Sequence, residues 1–204
     1  MDKLDLLKQK KGLYSAFLNK VSFLTIPPLK YLMINGEGDP NTSQLYKNSL
    51  QALYALAYGL KFAIKKGTPS IDFKVMPLEG LWWVEDMNLF SVKNKEDWKW
   101  TMMILQPDMI NEGLVKEICD QVVRKKGLVL AKNVRFEQYT EGDCAQLLHL
   151  GPYSAEGDNI EKLHKTILEH GYQRKGKHHE IYLNTPLKTA PEKLKTIIRQ
   201  PIEK

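Results

Sequence analysis

Pro77-Leu78-Glu79-Gly80-Leu81-Trp82-Trp83 sets one carboxylate three and four residues ahead of two adjacent tryptophans in an otherwise apolar run. Indole rings supply area and a π-face for a cation, and an acid beside them supplies charge. Together they equip a pocket for a flat, amphipathic or cationic small molecule. The same spacing fits a core strand whose Glu79 points to solvent, because a buried unpaired acid is costly. Just upstream, Ile71, Phe73 and Val75 alternate with Asp72 and Lys74, so a strand is expected over residues 71–83. Pro77 and Gly80 within it point to an edge position or a bulge that re-aims Glu79 and the tryptophans.

Working outward, a turn is expected at residues 93–97, followed by the strand Trp98-Lys99-Trp100-Thr101-Met102-Met103-Ile104-Leu105. Alternation puts Trp98, Trp100, Met102 and Ile104 on one face. The 4 tryptophans of the chain therefore fall in two sequential strands that should pair, which makes an aromatic patch whether or not it binds anything. On the N-terminal side, residues 29–34 form a strand entering Asn35-Gly36-Glu37-Gly38-Asp39-Pro40, a turn that carries neither G-x-G-x-x-G nor a G-K-[ST] ending. A helix capped by Asn41, Thr42 or Ser43 then runs to about Lys66, before Gly67, with Tyr46, Leu50, Leu53, Ala57, Leu60 and Ile64 as its buried stripe. Tyr54 and Tyr58 lie beside that stripe, either bordering a cavity or half-buried with their hydroxyls in water. Residues 2–20 read as a charged amphipathic arm striped by Leu4, Leu7, Leu13 and Phe17 that caps the domain edge, and residues 21–26 as a short apolar run stopped by Pro27-Pro28.

The second half repeats this order. A helix at residues 111–126, capped by Asn111, striped by Leu114, Ile118 and Val122 and ended by Gly127, bridges the halves. Strands within residues 129–139 and 143–150, a helix at about 155–170 with Ile160, Leu163 and Ile167 inward, the strand His178-His179-Glu180-Ile181-Tyr182-Leu183, a brief helical turn at Pro191, and a closing strand at 195–202 follow. Leu32-Met33-Ile34-Asn35-Gly36 matches Leu147-Leu148-His149-Leu150-Gly151, and Ile104-Leu105-Gln106-Pro107 matches Ile198-Arg199-Gln200-Pro201. The expected architecture is one α+β domain over residues 1–204. It is a duplicated strand-helix-strand-strand unit with pseudo-twofold symmetry, antiparallel sheets and helices packed on them, with repeats at about 21–110 and 128–204 and the bridging helix at 111–127. The Glu79 strand corresponds to the Glu180 strand, so both acids are expected near the pseudo-twofold axis, where ligand sites are favoured.

Composition narrows the chemistry. The 204 residues are 43% hydrophobic and 26% charged, with no apolar run long enough to span a membrane and no basic-then-apolar start, so a cytoplasmic protein without membrane contact is expected. A net charge of +6 invites nucleic acid, but Lys8-Gln9-Lys10-Lys11 and Arg124-Lys125-Lys126 are short, and no nucleic-acid-binding motif accompanies them. Cys119 and Cys144 are far apart and read as buried thiols. His178, His179 and Glu180 are dense in metal-ligand types but lack a third ligand on one face, so no metal and no cofactor is expected. Serine and cysteine nucleophile motifs are absent. What remains is a carboxylate and aromatic constellation, Glu180 with Tyr182 on one strand and Glu79 with Trp83 on another, with Trp100 close by. An acid in an apolar pocket acts as general base, as general acid, or as the partner of a cation.

Several separated segments resemble the GyrI-like small-molecule-binding proteins: residues 28–41 with Gly36-Glu37-Gly38-Asp39-Pro40-Asn41, Leu53-Tyr54-Ala55-Leu56-Ala57-Tyr58, Pro77 through Trp83, His179-Glu180-Ile181-Tyr182-Leu183, and Pro191-Glu192-Lys193-Leu194 through Gln200-Pro201. The resemblance implies two copies of the unit with a ligand cavity between them, and a buried glutamate on the penultimate strand, Glu180 here, that pairs with cationic drugs. It also implies kinship with stand-alone members, the cyclopropanoid cyclopropyl hydrolases, which open the strained ring of DNA-alkylating natural products inside an aromatic cage. On that basis Glu180 and Glu79 are candidate catalytic acids that hold a water, and Trp82, Trp83, Trp100, Tyr182, Tyr54 and Tyr58 candidate ligand contacts. The partner is a planar aromatic or cationic small molecule and the role xenobiotic detoxification. The alternative is a non-catalytic multidrug-binding or effector-sensing module. No fused DNA-binding domain is read in the chain, and its basic charge argues against inhibition of a partner through an acidic face. Oligomeric state is not readable from the sequence.

Overall fold

The fold was analysed in a computed structural model that describes residues 2–68, 70–87 and 95–204. Its frame is an antiparallel sheet in the order β2 (Ser22–Ile26), β8 (Gly142–Leu150), β11 (Lys195–Glu203), β10 (His178–Tyr182), β5 (Leu78–Trp83), β6 (Lys99–Leu105), β3 (Leu29–Glu37), β7 (Arg135–Tyr139), with β9 (Gln173–Arg174) on the end of β11. Counted outward from the central pair β10 and β5, the order is matched: β11 with β6, β8 with β3, β2 with β7. The outermost strands are placed far from their neighbours in sequence, since β2, near the N-terminus, lies on β8, and β7, which follows α3, lies on β3.

Residues directly opposite one another in an antiparallel pair share a face. Glu180 lies opposite Gly80, and His178 opposite Trp82, so one face carries His178, Glu180, Tyr182, Gly80, Trp82, Trp100, Met102 and Ile34. The other carries His179, Glu79, Arg199, Gln146 and Tyr31.

Helices α2 (Gln44–Lys66) and α4 (Gly157–Glu169) both pack on the first face, at opposite ends. Ser43 caps α2 by accepting from the Tyr46 N–H at 3.2 Å, and Leu53, Leu56, Ala57 and Leu60 form its buried stripe; Leu50 and Ile64 are only partly covered. Beneath α4, Ile160, Leu163 and Ile167 meet Ala145, Leu147, Ile198 and Ile202 in a small separate core. Helix α3 (Glu112–Lys126), capped by Asn111 and ended by Gly127 at φ 68°, packs on α2; a Cβ on Gly59 would sit 2.5 Å from an Ile118 methyl, so this glycine sets the close approach of the two helices. Val115, Ile118 and Val122 are its buried stripe, with Leu114 beside them.

Several expectations are corrected. The strand expected over 71–83 is two: β4 (Ile71–Phe73) pairs in parallel with β1 (Asp2–Leu4), and β5 begins only after Pro77. Strand β5 is neither an edge nor bulged, because both its ladders run in unbroken register. The N-terminal arm contains the short helix α1 (Leu6–Gln9) and buries Leu6 and Tyr14, whereas Phe17 is 61% exposed. Trp98 precedes β6, and Cys144 is buried but Cys119 only half-buried. A turn at residues 95–98 is present, closed by the Trp98 N–H on Lys95 O; residues 93 and 94 of the expected turn, and Pro69, lie outside the described residues. Among the described residues no helix is long and apolar enough to cross a membrane.

Candidate functional site

The two central strands define the site, because α2 packs on β3 and β6 to one side of them and α4 on β8 and β11 to the other. Gly80 on β5 faces Glu180 on β10 across the ladder, and a Cβ at Gly80 would lie 2.7 Å from Trp82 Nε1. The missing side chain therefore lets the Trp82 indole lie flat along its own strand, beside Glu180. Gly36 does the same for Trp100, whose ring would stand 2.1 Å from an added Cβ. Glycine inside a strand here marks close approach of a ring.

Glu180 is 7% exposed and bonded through both oxygens: Oε1 to His178 Nε2 at 3.0 Å, and Oε2 to the Tyr182 hydroxyl, which donates at 2.7 Å. The Tyr182 oxygen accepts in turn from Trp82 Nε1 at 3.1 Å. Burial opposes the charge, but the hydrogen bonds from His178 and Tyr182 and the charge of His178 outweigh it and hold the Glu180 carboxyl below the usual carboxylate range. Burial and then Glu180 push the Tyr182 hydroxyl well above its ordinary value, so it remains a donor.

Aromatic rings surround this group. Tyr46 from the first turn of α2 stands 6.1 Å from Trp82 and edge-on to Trp100 at 5.2 Å; Trp98 is 5.2 Å from Trp82; Tyr153, from the turn before α4, is edge-on to Tyr182 at 5.4 Å. Tyr54 is partly buried further along α2 than Tyr46, near enough for its hydroxyl to add to burial and Glu180 in raising the hydroxyls of Tyr46 and Tyr153. Glu156 closes the α4 side. It is 3% exposed, its Oε1 has no hydrogen-bond partner among the described residues, and burial followed by the charge of Glu180 pushes its carboxyl up to about 9.

Of the residues expected from the sequence, Glu180, Tyr182, Trp82, Trp100 and Tyr54 are thus brought together, and three are not. Glu79 and Trp83 point to the opposite face, because in the sheet register Leu78, not Glu79, holds the place equivalent to Glu180. Trp83 carries the Lys177 ammonium over its ring at 3.4 Å. Tyr58 is 48% exposed and continues an outward ladder from Tyr54 to Phe62.

Glu79 belongs to a buried network instead. It accepts from the Tyr14 hydroxyl at 2.5 Å and from His179 Nε2 at 3.1 Å; His179 Nδ1 bonds Glu141 at 2.8 Å; Arg199 joins Glu141, Gln146 and the Leu13 carbonyl. Burial disfavours a charged His179, but Glu141 and Glu79 outweigh it and raise the imidazole to about 8. This network fastens the N-terminal arm to the sheet, with Gln146 Nε2 also donating to Ser15 O.

Tyr46, Tyr153 and Glu156 escape a reading of the sequence. Tyr46 has the spacing of a core stripe, and Glu156 sits between a turn and a helix with no periodicity to place it. The one available signal is Gly151-Pro152-Tyr153, which matches the glycine turn ahead of α2 and so marks the other rim. Among the described residues no three His, Cys, Asp or Glu side chains are grouped to hold a metal.

Solved structures with this fold include an uncharacterized conserved protein from Listeria innocua, 35% identical over 98% of this chain and all of that one, at a TM-score of 0.91. Two hydrolases from Listeria innocua are each 33% identical, one covering 99% of this chain at TM-score 0.88 and the other 98% at 0.85, both over their whole length. A comparison with curated proteins finds no match. The model of the GyrI-like small molecule binding domain matches residues 19–203, and with that extent of match the chain belongs to the GyrI-like small-molecule-binding family.

Proposed function

We propose that the enclosure around Glu180 binds planar aromatic and cationic small molecules, and that the protein hydrolyses cyclopropane-bearing DNA-alkylating xenobiotics in the cytoplasm, to the benefit of the cell. The observation that carries this reading is a buried carboxyl group fixed through both oxygens and ringed by Trp82, Tyr46, Tyr153 and Tyr182. Aromatic faces hold a flat ligand in one pose, and a carboxylate at its edge either neutralises a cation or orients a water. In the hydrolytic reading, Glu180 takes a proton from water as the water oxygen bonds to a ring carbon. The strained carbon-carbon bond breaks, and its electron pair passes to a conjugated carbonyl oxygen of the ligand, which is then protonated. The hydrolases from Listeria innocua, similar over the whole chain, favour this outcome. The same reading takes the site as the junction of two repeats, about residues 21–110 and 128–204, joined by the bridging helix at 111–127, within one domain.

The second reading is a passive binder. It is favoured by the engagement of both Glu180 oxygens, which suits pairing with a cation better than abstraction of a proton. Incubation with a cyclopropane-bearing alkylator, followed by mass analysis, separates the two. The wild type is expected to yield the water adduct and Glu180→Gln the unchanged compound. Quenching of tryptophan fluorescence without turnover would leave the binder, and neither quenching nor turnover would dismiss both.

A further inference from the structure

Glu180 is not the only acid in the enclosure. Glu156 lies immediately before α4, 3% exposed, with Oε1 lacking a hydrogen-bond partner among the described residues, and it shares the interior with Glu180 and Tyr182. A buried carboxylate leaving an oxygen unbonded is costly, whereas the neutral acid tolerates it. Two carboxyl groups in one water-poor enclosure do not both ionise readily, and the one with better donors keeps the charge. Glu180 has two donors, His178 and Tyr182. The groups facing Glu156 are Glu180 and Tyr182 on β10, the Thr196 hydroxyl on β11, Lys95 from the turn before β6 and Tyr153 from its own turn; Tyr46 and Tyr54 face the same interior from α2. His149 on β8 is occupied by Pro152 O and Asn159. Lys95 stands over the Trp98 ring at 4.9 Å.

We propose that Glu156 is a second ligand-contacting acid of this enclosure, neutral opposite an ionised Glu180, so that the site takes a planar aromatic monocation without changing its proton count and releases the Glu156 proton to solvent when the ligand carries a second positive charge. The inference rests on the cation-binding reading above and adds charge selectivity to it. A monocation meets one carboxylate. A dication meets that carboxylate and, at its far end, a carboxyl group whose proton it displaces, so its affinity rises with pH and that of the monocation stays flat over the same interval.

The test compares ethidium, a planar monocation, with 4′,6-diamidino-2-phenylindole, a planar dication, by calorimetry at pH 7.5 in phosphate and in Tris, whose ionisation heats differ. Wild-type protein is expected to release roughly one proton on binding the dication and none on binding the monocation. Glu156→Gln keeps the shape and a donor but has no proton to lose, and is expected to release none with either dye. A ligand-free check is infrared spectroscopy, in which the wild type at pH 7.5 should show the carbonyl band of a neutral carboxylic acid that Glu156→Gln lacks; a wild type without the band overturns the proposal. If both dyes bind without proton release, or the variant releases as many protons as the wild type, this proposal alone falls. If neither dye binds, the cation-binding reading falls and takes this proposal with it.

Discussion

Gly80 is where the smallest side chain has the largest consequence. An alanine there would place its Cβ 2.7 Å from Trp82 Nε1, so the indole must move, and the bond from Nε1 to Tyr182 goes with it. Overpacking of this kind costs about 1–3 kcal/mol. Gly80→Ala is therefore expected to lower the denaturation midpoint and to shift tryptophan emission toward the red; unchanged emission would show that Trp82 has not moved. Tyr182→Phe removes one donor to Glu180 and leaves Trp82 Nε1 without its acceptor, which should cost about 1.5–3 kcal/mol, the range for hydrogen bonds to charged groups. Because the Tyr182 bond helps to hold the Glu180 carboxyl low, the same change is expected to raise it, and a carboxyl resonance followed by NMR through a pH titration would register the rise. At this scale the sequence is informative in proportion to its alternation. Glu180 with Tyr182 follows from a step of two along one strand, but the separation of Glu79 from Glu180 depends on a one-residue offset between strands that only the ladder register fixes.

The strand β10 is amphipathic in an unusual sense, with His178 and Glu180 serving the aromatic enclosure and His179 serving the buried network behind it. His179 holds its proton more tightly folded than unfolded, about 8 against an ordinary 6.5. Its contribution is then complete below pH 6.5 and is lost as the pH rises through 8, on the order of 2 kcal/mol in all. Glu156 adds a fall of the same sign, because an acid raised from 4.5 to about 9 is neutral in the folded chain over an interval where the unfolded chain ionises it freely. Thermal midpoints measured from pH 6 to 9 should decline in the wild type, and the decline should be shallower in Glu156→Gln and, separately, in His179→Gln. A wild-type midpoint that climbs across that interval would contradict both assignments. The elements themselves are legible wherever local chemistry specifies an end: Ser43 and Asn111 accept from the N–H three residues on, and Gly127 takes the left-handed turn. The N-terminal arm is not, because what fixes it is Tyr14 reaching Glu79 across 65 positions of sequence, and an amphipathic stripe through Phe17 gives no hint of that.

At the scale of the molecule, the strand order puts the site where β5 meets β10, so it needs strands from both the N-terminal and the C-terminal parts of the chain. Of the segments matched in the sequence, 32–36 lies beside 104–107 and 147–151 beside 198–201, with Leu32 paired to Ile104 and Leu147 to Ile198. What no comparison of segments could reveal is the placing of β2 on β8 and of β7 on β3, strands far apart in the sequence. Without its partner, residues 1–127 would leave β5 bare where β10 belongs and β3 bare where β7 belongs, while residues 128–204 would lack β2 and β5. Unpaired central edges are templates for association rather than stable surfaces. Expressed separately, the two fragments are therefore expected to give poorly dispersed amide spectra or to aggregate, and to recover native dispersion, dye binding and native tryptophan emission only when refolded together. A dispersed spectrum from either fragment alone would show that the repeat is a domain in its own right, and would move the enclosure from the inside of one folding unit to the interface between two.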